Sequence, residues 1–228
     1  MDIVVVTTGL REDLLRQTLN SLNTNATSKN NHPITLVIDG HRGEKIKYNY
    51  PVDCIITPSL IQGASRCRNI GAGSIPKYRR QSHIMFCDDD VWFAPGYDQA
   101  LEEMAEALPR HLLSLYGHPY NQEEKREGFS MANFPLLISS VCPFMSWEAF
   151  EEIGFWLEPG GPAASEDFEF CSRAKKLGYG FAVSDPNYAI HTGITSSSGQ
   201  KIVGWDLLEK KNKELEQCHR AKGRVIYG

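Results

Sequence analysis

The sequence predicts an α/β fold: a mostly parallel central sheet, Rossmann-like, flanked by helices and contained in a single domain. Three observations carry this reading. Short apolar runs alternate with stretches of helical periodicity along the first half of the chain, the pattern of strand–helix–strand units with parallel strands. The runs are continuously apolar, as strands covered on both faces are. Three of them end in polar residues, Thr7-Thr8, Asp39 and Asp88-Asp89-Asp90, and sheets of this kind bind ligands beyond the carboxyl ends of their strands.

The elements follow in order. Ile3 to Val6 is a β-branched strand that empties into the turn Thr7-Thr8-Gly9. Leu14, Leu15, Thr18, Leu19 and Leu22 recur at helical spacing, and residues 23–31 form a polar loop before the strand Ile34-Thr35-Leu36-Val37-Ile38. Ile55-Ile56 is a third short strand, residues 63–75 a Gly-punctuated helix, and Ile84-Met85-Phe86-Cys87 the strand that ends at the Asp triplet. Beyond it the pattern predicts a helix over 98–108, strands over 112–116 and 135–141, and a helix over 147–153 with Ser146 as N-cap and Gly154 as its stop. A Gly/Pro-rich loop with Phe155 and Trp156 precedes a last helix, capped by Ser165, with Phe170, Ala174 and Leu177 on one face.

Composition is that of a soluble globular chain of 228 residues, 41% hydrophobic and 23% charged. A net charge of −4 argues against broad capture of nucleic acid; the clusters Lys77-Tyr78-Arg79-Arg80 and Lys210-Lys211-Asn212-Lys213 read as solvated faces. Six cysteines without a CxxC pair, several inside apolar segments, fit reduced core thiols and a cytoplasmic location. No run reaches transmembrane length, and Met1 to Val6 lacks the basic start of a signal peptide.

The chemistry centres on Asp88-Asp89-Asp90. Adjacent carboxylates at the end of a buried strand need a positive partner, and hard divalent cations, Mg²⁺ or Mn²⁺, take carboxylate oxygens while leaving positions open for phosphate. The competing reading is a solvated acidic turn. Glu166 and Asp167 open a helix, where acids are ordinary dipole partners, yet the preceding Gly/Pro loop could hold them at the mouth of a cleft. His191, after Tyr188-Ala189-Ile190 and before a polar stretch near 192–201, is either structural or a metal ligand reaching the triplet from far along the chain.

In this order and spacing the motifs resemble the glycosyltransferases of the GT-A fold, particularly those similar to glycosyltransferase family 2. The resemblance runs through most of the chain. It rests on Val4-Val5-Val6-Thr7-Thr8, Val37-Ile38-Asp39-Gly40, the Gly63-Ala64-Ser65-Arg66-Cys67-Arg68-Asn69-Ile70-Gly71 helix, the DxD-like Asp88-Asp89-Asp90, the helix and loop of residues 146–155, Glu166-Asp167 with Arg173, and the late His191. His41 stands where the family commonly has Ser, and Thr8-Gly9 where it has Tyr-Asn, so base recognition departs from the family pattern.

The resemblance implies one catalytic domain over 1–228: a nucleotide-sugar-binding half over 1–95 and an acceptor half over 96–228. The donor would be a nucleotide diphosphate sugar, most often a UDP-sugar, contacted by Thr7, Thr8, Asp39, Arg68, Asp88 and Asp89. Asp90 and His191, with Asp88, would hold Mn²⁺ or Mg²⁺. Asp167 would be the general base that deprotonates an acceptor hydroxyl, with Glu166 orienting the acceptor or sharing that role, and the outcome would be inversion; some metal-dependent GT-A enzymes retain. Trp156 would stack on a sugar or pack in the core. The acceptor class stays open between glycan, protein and small molecule, with nucleic acid the minority reading. Rival readings are a sugar-nucleotide nucleotidyltransferase and a non-catalytic nucleotide- or glycan-binding module of the same fold. Oligomeric state is not legible.

Overall fold

The computed structural model describes residues 1–27, 32–39, 50–60, 62–116, 122–126, 129–132, 141–157 and 166–192. The expected cap Ser165, most of the expected 135–141 strand and the stretch beyond Thr192 lie outside them.

Eleven strands are found there: β1 (Asp2–Thr7), β2 (Ile34–Ile38), β3 (Cys54–Ile56), β4 (His83–Asp88), β5 (Val91–Phe93), β6 (His111–Ser114), β7 (Gln122–Arg126), β8 (Phe129–Ala132), β9 (Pro143–Ser146), β10 (Gly180–Ser184) and β11 (Ala189–His191). The helices are α1 (Glu12–Thr24), α2 (Ala64–Ser74), α3 (Tyr97–Ala107), α4 (Trp147–Ile153) and α5 (Glu166–Lys176). Nine strands form one sheet in the order β3-β2-β1-β4-β9-β6-β10-β8-β7. Its β3, β2, β1, β4, β6, β10 and β7 run one way and β9 and β8 the other, so the sheet is mostly parallel in direction, as the sequence predicts.

Why the strand runs are continuously apolar is now visible. Ile3 and Val5 of β1 face α1 and α3, packing with Leu15, Leu19, Leu22, Tyr97 and Leu101. Val4 and Val6 face the opposite layer, packing with Cys67 of α2, Phe150 of α4 and Phe170 of α5. Strand periodicity puts alternate residues on opposite faces, and helices cover both. Gly71 lets α2 lie close: a Cβ there would collide with the Val4 side chain.

The helix ends obey local chemistry. Ser146 Oγ accepts the Ala149 N–H at 3.0 Å, and Gly154 ends α4 at a φ of 88°, a conformation that favours glycine. In the second half β9, beginning at Pro143, inserts into the sheet and pairs antiparallel with both β4 and β6. One expectation needs correction: Leu177 lies past the end of α5 and is exposed, because the helix stops at Lys176 and the chain turns at Gly178. β5 and β11 form a separate antiparallel ribbon. No helix among the described residues is long and apolar enough to cross a membrane.

Candidate active site

The three polar strand ends become neighbours because β2, β1 and β4 are adjacent in the sheet. Asp39 follows β2, and its two carboxylate oxygens accept the backbone N–H groups of Gln62 (2.6 Å) and Gly63 (3.0 Å), fixing the approach to α2. Thr7 ends β1. It is buried, donates its hydroxyl to Asp89 Oδ2 at 2.5 Å and accepts the Gly9 N–H at 2.9 Å, while Thr8 is exposed.

His191 reaches the triplet through the ribbon. Register pairs His191 with Val91, the residue after Asp90, and Thr192 donates both its N–H (2.6 Å) and its hydroxyl (2.8 Å) to the Asp90 carbonyl. His191 Nε2 then lies 3.1 Å from Asp90 Oδ1, with the Tyr116 ring edge-on at 5.9 Å. Two residues about a hundred positions apart meet because β11 returns along β5.

The triplet is not equally disposed. Asp88, 26% exposed at its side chain, pairs with Arg68 at 2.9 Å. Asp89 is buried between Thr7 and Arg11, and Asp90 between Arg11 (2.5 Å) and His191. Burial pushes the Asp88 carboxyl up to about 6, with Asp90 adding and Arg68 opposing. For Asp90 burial again pushes upward, but His191 and Arg11 outweigh it and hold the carboxyl below its ordinary range. Burial acts to lower His191, and the neighbouring Asp90 and Asp88 reverse this and raise it. Asp89 is raised by burial against the opposing pull of Arg11 and Thr7.

Helix α2 ties the strand ends to α5. Arg68, 1% exposed, gives one nitrogen to Asp88 and another to Glu166 Oε1 at 2.8 Å; Ser65 donates to Glu166 Oε2 at 3.1 Å. Asn69 clamps the following loop, bonding the Trp156 carbonyl (2.7 Å) and N–H (2.9 Å). Arg173 pairs with Glu169 and donates to the carbonyls of Ile153 and Phe155, holding the end of α4.

The geometry bears on several expected roles. Arg68 and Asp89, expected at the nucleotide, are buried, Arg68 paired with Asp88 and Glu166 and Asp89 with Thr7 and Arg11. Trp156 is 2% exposed, stacked on Phe170 at 4.1 Å and edge-on to Phe86; it belongs to the core and offers no sugar platform. Glu166 is locked by Arg68 and Ser65, while Asp167 beside it stays partly exposed. Arg11, for which the sequence indicates no role at the triplet, is the direct partner of Asp89 and Asp90; a cation at a helix N-cap, where acceptors are preferred, was the signal available.

Among the described residues no three His, Cys, Asp or Glu side chains form a ready cation cage. Asp90 and His191 nonetheless present an oxygen and a nitrogen 3.1 Å apart. That is close to the roughly 2.9 Å edge of an octahedron with Mg²⁺-type bonds. Two protein donors suit a hard cation that completes its shell with phosphate and water.

The strand order and the two helical layers define a GT-A-type α/β domain. No protein-family model and no curated protein matches the chain by sequence. Solved structures match by fold. S. aureus TarS 1–349 aligns at TM-score 0.63 and 16% identity, covering 84% of this chain and 60% of that one. The longer TarS chain aligns at 0.64 and 16%, covering 85% and 37%, and TarS 1–349 in complex with UDP-GlcNAc at 0.61 and 17%, covering 83% and 58%. This chain therefore spans three fifths or less of the TarS chains it matches.

Proposed function

We propose that the protein is a metal-dependent glycosyltransferase that moves a sugar from a nucleotide diphosphate sugar, a UDP-sugar, to an acceptor hydroxyl. The observation that carries the reading is the Asp88–Arg68–Glu166 bridge, which brings a carboxylate-rich strand end and an acidic helix start to one site. Likeness of fold to TarS, solved with UDP-GlcNAc and with UDP, supports the choice of donor.

In this reading Thr8, Asp39 and Asp88 line the nucleotide side. Asp90 and His191 would hold Mn²⁺ or Mg²⁺, which when bound supplies positive charge to the departing diphosphate. Asp167 is the general base: it takes the proton from the acceptor hydroxyl as that oxygen attacks the anomeric carbon, and direct displacement inverts the centre. Glu166 is the weaker candidate for base, since Arg68 and Ser65 hold its oxygens. Its part is to fix the start of α5 so that Asp167 keeps its position.

The test is thermal stabilisation by a panel of nucleotide sugars with and without Mn²⁺. A UDP-sugar at about a hundred times its dissociation constant adds roughly 2.7 kcal/mol of stability. That corresponds to a melting rise of about 5–10 °C for a domain of this size. The rise should need Mn²⁺ and vanish with a chelator. Stabilisation indifferent to chelator overturns the metal role, and pyrophosphate release from a sugar phosphate plus a nucleoside triphosphate overturns the transferase reading in favour of a nucleotidyltransferase.

A further inference from the structure

Arg11 breaks a local rule. It is the N-cap residue of α1, where a short acceptor side chain is preferred and where a cation faces the positive end of the helix dipole. Its side chain makes no capping hydrogen bond. The Thr7-Thr8-Gly9 turn, with Gly9 at a φ of 72°, folds the chain back so that the guanidinium forks over the end of β4. One nitrogen bonds Asp89, and the other lies 2.5 Å from Asp90 Oδ2. The carboxylates are only 2% and 4% exposed, whereas the Arg11 side chain remains 34% exposed. Local disagreement of this kind is expected where a residue serves a site instead of its own helix.

We propose that Arg11 is a tethered competitor of the divalent cation. It pairs with Asp90 and leaves when cation and nucleotide diphosphate bind, so that the two ligands are coupled through this one side chain. The inference rests on the metal-dependent reading above. Asp90 Oδ1 already faces His191, so an ion joining that pair would stand within a few ångströms of the guanidinium on Oδ2, and two positive charges so close repel. Arg68 cannot yield in this way, being enclosed between Asp88, Glu166 and Trp156. Arg11 can: it is part-exposed beside the exposed Thr8 and Leu10. A guanidinium displaced into solvent loses a charge-assisted bond, but one displaced onto a diphosphate regains a bidentate partner. Cation binding is therefore weak alone and strong with nucleotide, and by linkage the converse holds.

Mn²⁺ is titrated by calorimetry into the full chain and into the variants Arg11→Met and Arg11→Lys, each with and without saturating UDP, after ligand-free melts. Couplings between sites typically span about 5- to 150-fold. In that range the wild-type chain binds Mn²⁺ about tenfold tighter with UDP. Arg11→Met binds Mn²⁺ alone about fivefold tighter than wild type, and its gain from UDP shrinks to about twofold or less. Unchanged or weaker affinity of Arg11→Met for Mn²⁺ alone overturns the proposal while leaving the metal reading standing. Absence of Mn²⁺ binding in every protein, with UDP present, overturns the metal reading itself. Where Arg11→Met melts below the assay temperature, Arg11→Lys decides: lacking the fork, it binds Mn²⁺ alone about threefold tighter, and equality with wild type overturns the proposal.

Discussion

Replacement of Arg68 by leucine is expected to lower the melting temperature by roughly 10 °C. The side chain is enclosed, with Glu166 at 2.8 Å, Asp88 at 2.9 Å and the Trp156 ring face 5.0 Å from the guanidinium carbon. Removing one partner of a buried ion pair strands the other and costs about 3–5 kcal/mol. Most of that falls on Glu166, whose side chain is 10% exposed; the share of Asp88, at 26%, is discounted for solvent screening. The lost cation–π contact, desolvated here, adds about 2 kcal/mol, and leucine recovers a similar amount of apolar packing. A net loss near 3 kcal/mol corresponds to about 6–12 °C at this chain length. The assay is thermal denaturation at neutral pH, repeated for Glu166→Gln and the double variant. If the ion pair is the source, the double variant is less destabilised than the sum of the singles by about 1 kcal/mol or more. A fall below about 3 °C, or strict additivity, would refute the argument that Arg68 joins the two sides of the site.

Three further expectations can be checked directly. Asp167→Asn abolishes sugar transfer yet leaves UDP-sugar binding, measured by calorimetry, within about threefold, because a base acts only once the donor is seated; loss of donor binding would count against the assignment. Gly71→Ala gains helix propensity but drives a methyl group into Val4, so urea denaturation should show a net loss of about 1–3 kcal/mol, and a stabilised variant would contradict the close packing of α2 on β1. Burial pushes the Cys67 and Cys171 thiols up to about 12 and Cys142 to about 11, and raises Cys87 as well. A raised thiol holds its proton at pH 8, where the reactive thiolate is then scarce. Alkylation at pH 8 followed by peptide mass spectrometry should therefore mark exposed Cys54 and spare those four until the chain is unfolded; native labelling of Cys67 at the rate of Cys54 would contradict the packing.

Much of the fold was legible because its signals are local. β1, β2 and β4 are apolar runs covered on both faces, and α4 is bracketed by its own cap at Ser146 and its own stop at Gly154. The three-residue strands β5 and β11 carry no periodicity, so nothing in their sequence foretold a ribbon that sets His191 against Asp90. Trp156 sat among Gly and Pro residues that read as surface loop. Its burial depends on Phe170, Phe86 and the Asn69 clamp, all distant in sequence.

What the sequence by itself determined is the inventory: an α/β order of elements, acids at the end of a buried strand, a second acidic pair at a helix start and a late histidine. Tertiary structure decided which of them share a site and in what electrical state. Adjacent strands brought Asp39, Thr7 and the triplet together, Arg68 joined Asp88 to Glu166, and Arg11 paired with Asp89 and Asp90. The physical reason is that backbone preference and hydrophobic period act over a few residues, whereas the cost of burying a carboxylate is settled by whatever cation the fold places beside it.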